Sequence, residues 1–289
     1  MDTQHGYFDQ SAIVITTLKD SDKIYHMDKR SLLKLFDKEL RIDFEVPGVG
    51  KESFPKLTRF TRPAPGMNFI GYSRLDREEL DEVITEQIAH FSKFDQPFSW
   101  EVYEHDLPAE LPERLAAHGF ALDDDPDAVL VLDTAEAPPA LIQMVVTDVR
   151  RLSRPEQLDD VTGVEEQVWG GDFGWLKKRL SPHMAIPGYL SVYAAYADDQ
   201  PVCTGWIYFN PGSSFASIYG GATAEGYRKR GFYSAVAAVR VQEAIRRGYR
   251  FITVGASQMS RPILERLGFR LLTIERDYVY KGSQSKQAG

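Results

Sequence analysis

The stretch that most constrains this chain is residues 223–248, TAEGYRKRGFYSAVAAVRVQEAIRRG. A cationic turn, Arg228-Lys229-Arg230-Gly231, runs straight into a segment that begins apolar on all sides (Phe232, Tyr233, Ala235, Val236, Ala237, Ala238, Val239). Its second half is amphipathic, with Val241, Ala244 and Ile245 on one side and Gln242, Glu243, Arg246 and Arg247 on the other. This periodicity predicts a helix, and Gly248 ends it as a residue that tolerates the left-handed conformation. A helix start carries unpaired N–H donors and the positive end of the backbone dipole. With a glycine and three cations placed there, the matching ligand is an anion, most naturally a phosphate.

The flanks fix the topology. Residues 214–222 (SFASIYGGA) read as a strand ending at Gly220-Gly221, and Phe251-Ile252-Thr253-Val254 as a short strand buried on both faces. Strand, basic turn, helix and strand make a βαβ crossover. Its phosphate site would sit at the carboxyl edge of the first strand, where α/β folds bind ligands. The turn matches neither GxxxxGK[ST] nor GxGxxG, which argues against a nucleoside-triphosphate loop and a dinucleotide fingerprint.

The turn does resemble the Q/R-x-x-G-x-G/A signature of the GCN5-related N-acetyltransferase (GNAT) family, with Arg228 and Gly231 in the first and fourth positions. The sixth position is Tyr233 rather than Gly or Ala. Two further features extend the resemblance. Thr223 lies five residues before the Arg, where the family's fourth strand offers backbone to pantetheine. Residues 260–269 (SRPILERLGF) resemble the family's last short helix, ending in Gly-Phe. The resemblance implies acetyl-CoA as co-substrate, held by Ala222, Thr223, Arg228, Lys229, Arg230, Gly231, Phe232, Tyr233 and Ser234, with Ser257 nearby. It implies no metal, and nothing in the sequence has metal-ligand spacing.

Acyl transfer to an amine requires a held thioester, an acceptor for the amine proton, a donor to the carbonyl oxygen, and a proton or contact for the leaving thiolate. The family often places a Tyr four residues before the Gly of the Gly-Phe pair as the thiolate's proton donor; here that residue is Leu264. Candidate bases are Glu225, beside the turn, and Asp172 and His183, between the first two helices of the second half. Trp169, Asp172, Phe173 and Trp175 flank Gly170-Gly171 and Gly174, a composition that suits a substrate lid.

Composition adds bounds. The 289 residues suit two domains, and 43% hydrophobic with 26% charged residues describes a soluble globular chain. A net charge of −8 argues against general nucleic-acid binding. The single cysteine, Cys203, lies in a strand-like run and reads as a buried, inert thiol. The chain shows no signal-like apolar region and no run of eighteen apolar residues, so the expected location is cytoplasmic, off the membrane.

In chain order the pattern predicts a strand at 11–17, a helix at 27–40 and strands at 56–61 and 67–73. A capped helix then starts at Asp76, followed by a strand at 97–103, a helix at 108–118 closed by Gly119-Phe120, and a strand at 127–133. Glu136-Ala137-Pro138-Pro139 reads as a linker. Beyond it come a strand at 143–149, helices at 154–169 and 173–180, an antiparallel meander at 188–222, the βαβ block, the short helix and a last strand at 270–280. The polar tail 282–287 reads as frayed. Both halves run strand, helix, strand, short helix, Gly-Phe, strand, which points to a duplicated fold. The expected class is α/β with a mixed α+β sheet: two GNAT-like domains, each a mostly antiparallel sheet with a central parallel βαβ unit flanked by helices. Residues 1–137 form a degenerate copy without the CoA turn, since Asp76, Glu78 and Glu79 stand where the second copy has its cations. Residues 138–289 form the CoA-binding copy.

The expected function is acetyl-CoA-dependent N-acetyl transfer to an amine of a small molecule or peptide, with no nucleic-acid partner. Two alternatives stand beside it. Leu264 and the lack of an evident base suit a non-catalytic acyl-CoA binder or sensor. The duplication also suits a tandem GNAT-like transferase using aminoacyl-tRNA, against which the preserved cationic turn and the acidic net charge argue. Oligomeric state and acceptor identity are not written in the sequence.

Overall fold

A computed structural model describes residues 27–282 except 65, 95, 124 and 125. The strand expected at 11–17 and nearly all of the polar tail lie outside the described residues. Helix α1 (Lys29–Phe36) is capped by Asp28, whose carboxylate accepts from the Ser31 N–H at 3.1 Å, and continues through a π-helical turn at Asp37–Ile42. Strands β1 (Gly50–Phe54), β2 (Leu57–Thr61) and β3 (Asn68–Ser73) form a meander. Helix α2 (Leu80–Phe91) then leads to β4 (Phe98–Tyr103), parallel to β3. Helix α3 (Leu111–Ala117), the two-residue β5 (Ala121–Leu122) and β6 (Asp127–Asp133) complete the first half.

The second half repeats the order. After a one-turn α4 (Pro139–Ile142) come β7 (Val149–Leu152), α5 (Leu158–Trp169) and α6 (Gly174–Met184). The meander is β8 (Leu190–Ala197), β9 (Gln200–Phe209) and β10 (Phe215–Thr223). Helix α7 (Phe232–Arg246) leads to β11 (Phe251–Ala256), parallel to β10, and α8 (Arg261–Arg266) to β12 (Arg270–Tyr280). Gly119 and Gly268, which close α3 and α8, share nearly the same left-handed φ (+90° and +92°), and the Phe after each is buried.

All the described strands belong to one sheet, ordered β1-β2-β3-β4-β12-β6-β11-β10-β9-β8-β7, with β5 on β12. The fold is thus the expected mixed α/β class: antiparallel, with one parallel pair in each half. What the sequence did not convey is an exchange at the centre. β12, the last strand of the chain, pairs with β4 of the first half, while β6, the last strand of the first half, pairs with β11 of the second. The two exchanged strands pair with each other.

Each face is sealed by helices whose apolar residues recur at helical spacing. Leu80, Ile84 and Phe91 of α2 pack with Ile70, Phe98 and Trp100 in the first half; Val236, Ala237, Val241 and Ala244 of α7 pack with Ile207, Ala216, Leu130 and Ile252 in the second. Burying each large side chain contributes roughly 2 kcal/mol. Helix α1 covers the seam between the halves, with Phe36 edge-on to both Tyr103 (5.7 Å) and Phe215 (6.2 Å). In the following π turn, Glu39 accepts from the Ser214 N–H at 2.6 Å, tying that segment to β10.

One expected strand is displaced. Residues 143–148 are irregular and β7 begins at Val149. The alternation there has no sheet to face: Met144 and Val146 are almost fully exposed, and the Leu141 and Gln143 carbonyls accept from Gln242 Nε2 (3.1 and 2.8 Å) instead of a neighbouring strand. The helix expected at 173–180 also runs on to Met184.

Candidate active site

The site begins where two strands part. β10 and β11 pair only over Phe215–Ser217 and Phe251–Thr253, yet β10 continues to Thr223 and β11 to Ala256. β10 also carries a bulge against β9: Tyr219 faces Trp206 and Ala222 faces Thr204, one residue too many. Gly220 makes this possible. Its φ is +64°, and a Cβ there would lie 1.8 Å from the Trp206 ring. Arg240 of α7, fully buried, holds the bulge from below: Nη1 donates to the Tyr219 carbonyl at 3.0 Å and Nε to the Val236 carbonyl at 3.0 Å. Burial without a carboxylate partner pulls its pKa below the usual arginine value.

The parted strands open a cleft of about 850 Å³, with the start of α7 at its edge. Lys229 (φ +61°) and Gly231 (φ +88°) turn the chain into the helix. The helical ladder begins with the Ala235 N–H on the Gly231 carbonyl (2.9 Å), and no side chain caps the start. The N–H groups of Phe232, Tyr233 and Ser234 therefore have no intrahelical partner. Arg228 Nε donates to the Thr223 carbonyl (3.2 Å), joining the turn to the end of β10. Nine of the ten residues expected around CoA line this one cleft: Ala222, Thr223, Arg228, Lys229, Gly231, Phe232, Tyr233, Ser234 and Ser257. Arg230 does not line it; its guanidinium lies over the Tyr227 (5.0 Å) and Phe232 (5.5 Å) rings.

The candidate bases fare differently. Glu225 is exposed on a short 3-10 turn and does not line the cleft. Asp172 is exposed and accepts from the Gly174 N–H (2.7 Å) at the start of α6. His183 Nδ1 is 2.8 Å from the Tyr208 hydroxyl, also away from the cleft, and burial with Arg179 and Arg62 nearby lowers its pKa. Leu264 is fully buried in the apolar core.

Two carboxylates do line the cleft, Asp127 at the start of β6 and Glu165 of α5, and Glu165 is only 4% exposed. Trp169 Nε1 donates to it at 2.9 Å and Thr204 Oγ1 at 3.4 Å. Burial outweighs these bonds and pushes its pKa up to about 7. The sequence held a signal for it: Leu158, Val161, Val164 and Val168 mark an apolar stripe on α5, and Glu165 falls on that stripe instead of the solvent face. Trp169 (57% exposed) and Trp175 (48%) are not core residues, and Trp169 lines the cleft.

A second, smaller chamber of about 320 Å³ adjoins the first, sharing Asp127 and Gly255 with it. It carries the carboxylates of Glu101 and Glu275, which with Asp277 come within 4.8 Å of one another. Among the described residues no helix is long and apolar enough to cross a membrane.

No protein-family model matches the sequence, and no curated protein matches it. Solved structures do. A GCN5-related N-acetyltransferase from Kribbella flavida aligns with a TM-score of 0.66 at 15% identity, covering 90% of this chain and 97% of that one. A conserved protein of unknown function from Staphylococcus epidermidis gives 0.62 at 15%, covering 87% and 99%. A tandem GNAT protein from the clavulanic acid biosynthesis pathway gives 0.56 at 13%, covering 84% and 86%. The fold is that of the GCN5-related N-acetyltransferases. Its extent across the chain matches that of a tandem member.

Proposed function

We propose that this chain is an acetyl-CoA-dependent N-acetyltransferase acting on an amine of a small molecule, working in the cytoplasm. The carrying observation is the bare start of α7, whose free N–H groups and left-handed Gly231 open on a cleft between parted strands. A diphosphate supplies the acceptors those donors lack. Residues 1–137 are the copy without such a turn, and residues 138–289 the copy that binds CoA.

The acyl chemistry belongs to the thioester: an amine nitrogen forms the amide bond, the carbon–sulfur bond breaks, and the thiolate leaves. The chain's part is to hold, orient and move protons. Backbone N–H groups of Phe232, Tyr233 and Ser234 hold the diphosphate, with Arg228 and Lys229 adding charge. The bulged end of β10 presents main chain to the pantetheine arm. Glu165, poised near neutrality, takes the proton that the amine must lose. Leu264 cannot donate to the thiolate, but the hydroxyls of Tyr227, Tyr233 and Ser260 belong to residues lining the cleft.

CoA should raise the melting temperature of the wild type, and Arg228→Glu with Lys229→Glu should abolish that rise while circular dichroism stays unchanged. An equal rise in the double variant would refute the site. The buried Leu264 favours one second reading, an acyl-CoA binder that does not turn over. Thiol release from acetyl-CoA on addition of amines separates the two: CoA binding without release for any amine would select the binder.

A further inference from the structure

The smaller chamber lies on the sheet face opposite α7, spanning adjacent strands from β2 to β10, and it meets the CoA cleft at Asp127 and Gly255. Its lining is divided by charge. Toward the exchanged strands stand Glu101 and Glu275, with Asp277 beside them. Burial, with the other carboxylates close by, drives the Glu101 and Glu275 pKa values up, Glu275 to about 8. Elsewhere on the wall stand Arg62 of the β2–β3 connection and Arg179 of α6. Burial, with the Arg179 guanidinium close by, lowers the Arg62 pKa, and the Glu101 carboxylate offsets this only in part. Among the described residues neither forms an ion pair with a carboxylate; Arg62 instead lies 4.5 Å from the centre of the Phe69 ring. Phe36, Phe60 and Phe69 form an apolar wall.

Two like-charged guanidiniums facing an enclosed space are unfavourable until an anion joins them, and planar forks suit a carboxylate. Clustered carboxylates are likewise relieved by an ammonium group, whose three N–H donors they can accept. Both conditions are met by one molecule carrying both charges, and a volume of about 320 Å³ falls at the small end of ligand pockets. We propose that this chamber is the acceptor site and that the acceptor is a small amino acid with an apolar body, its carboxylate on Arg62 and Arg179, its positive charge balanced by Glu101 and Glu275, and its amino nitrogen at the junction with the cleft that Glu165 lines. The inference rests on the N-acetyltransferase reading, since the chamber shares Asp127 and Gly255 with the cleft assigned to CoA.

The test compares amino acids with their decarboxylated counterparts: phenylalanine with phenethylamine, tyrosine with tyramine, leucine with isopentylamine, lysine with cadaverine. Each pair is scored by calorimetric binding to the full chain without CoA and by thiol release from acetyl-CoA. The expected result is at least about tenfold tighter binding and faster turnover of an apolar amino acid over its amine, a site built for a polar group rejecting the analogue that lacks it. Arg179→Gln and Arg62→Gln should each collapse that preference to within about twofold through KM, leaving the CoA-induced thermal shift intact. Glu275→Gln should weaken amino acid and amine alike. Preference for the amines, or a preference surviving both arginine variants, would overturn the inference. So would absence of amino-acid binding in a protein that CoA does stabilise. Amino-acid binding without any CoA stabilisation would uphold the chamber and sink the transferase reading instead.

Discussion

Each half leads a bulged strand into a helix, and a buried arginine holds each bulge. In the first half the extra residue of β3 is Gly71, whose carbonyl accepts from Arg41 Nε at 2.9 Å. In the second, Arg240 holds the carbonyl just before Gly220. From there the halves diverge. Arg41 is neutralised by Asp37 and bidentately by Asp106, whereas among the described residues Arg240 donates to main-chain carbonyls. At the entrance to α2, Glu79 accepts from the Asp76 N–H at 2.8 Å, and Lys56 bonds both Asp76 (2.5 Å) and Glu79 (2.7 Å). At the entrance to α7 no side chain among the described residues caps the helix. One scaffold thus gives two outcomes: a helix start closed by its own carboxylates, and one that no side chain caps, where the proposed function places an anion.

The sharpest way to break this comparison is at the arginines. Arg41→Met strands the buried carboxylate of Asp106 (side chain 4% exposed) and should cost about 3–5 kcal/mol in chemical denaturation. Arg240→Met orphans carbonyls but no charge and should cost less, about 1–3 kcal/mol; equal losses would erase the distinction. Gly220→Ala should follow at about 3 kcal/mol, because the ring of Trp206 occupies the Cβ position and φ is positive. Gly71→Ala meets the Phe60 and Phe69 ring edges at 3.0 and 3.3 Å without a positive φ, and should cost clearly less.

Glu165→Gln should lower kcat about 100-fold with CoA binding unchanged. Its pH behaviour has a definite sign. The carboxyl has an ordinary value of 4.5 and is held at about 7 in the fold, so below 4.5 it is protonated in both states and has no effect on stability. As pH rises from 4.5 to 7 the unfolded chain ionises first, and stability is lost progressively, by about 3 kcal/mol at most. Activity should rise over the upper part of the same window. Glu165→Gln should flatten both curves, and a variant as pH-sensitive as wild type would remove Glu165 from the proton path. The smallest effect expected is from Asp76→Ala: about 1 kcal/mol of stability and no change in CoA-dependent stabilisation.

The helical and strand periods, the turn and the repeat were legible because each is local: a cationic Gly turn before an apolar run, a Gly-Phe pair after a short helix. The exchange of β6 and β12 was not, because both are apolar alternating strands that fit either partner, and pairing is decided by what lies beside them in space. Glu165 escaped notice as one acidic residue on a helix with others, although its place on the buried stripe distinguishes it. Nothing in the sequence singles out Arg41 or Arg240; only the packed structure shows each reaching a strand carbonyl. The chamber draws its lining from strands and helices of both halves, so no single stretch of sequence contains it.

The traded strands have a genetic corollary. A chain halted at residue 137 would lack the strand that flanks Phe98–Tyr103, and one begun at 138 would lack the strand that flanks Phe251–Ala256. Deletion at the linker therefore cannot trim this protein to one half with a complete sheet. Whatever selects for either half preserves the other with it.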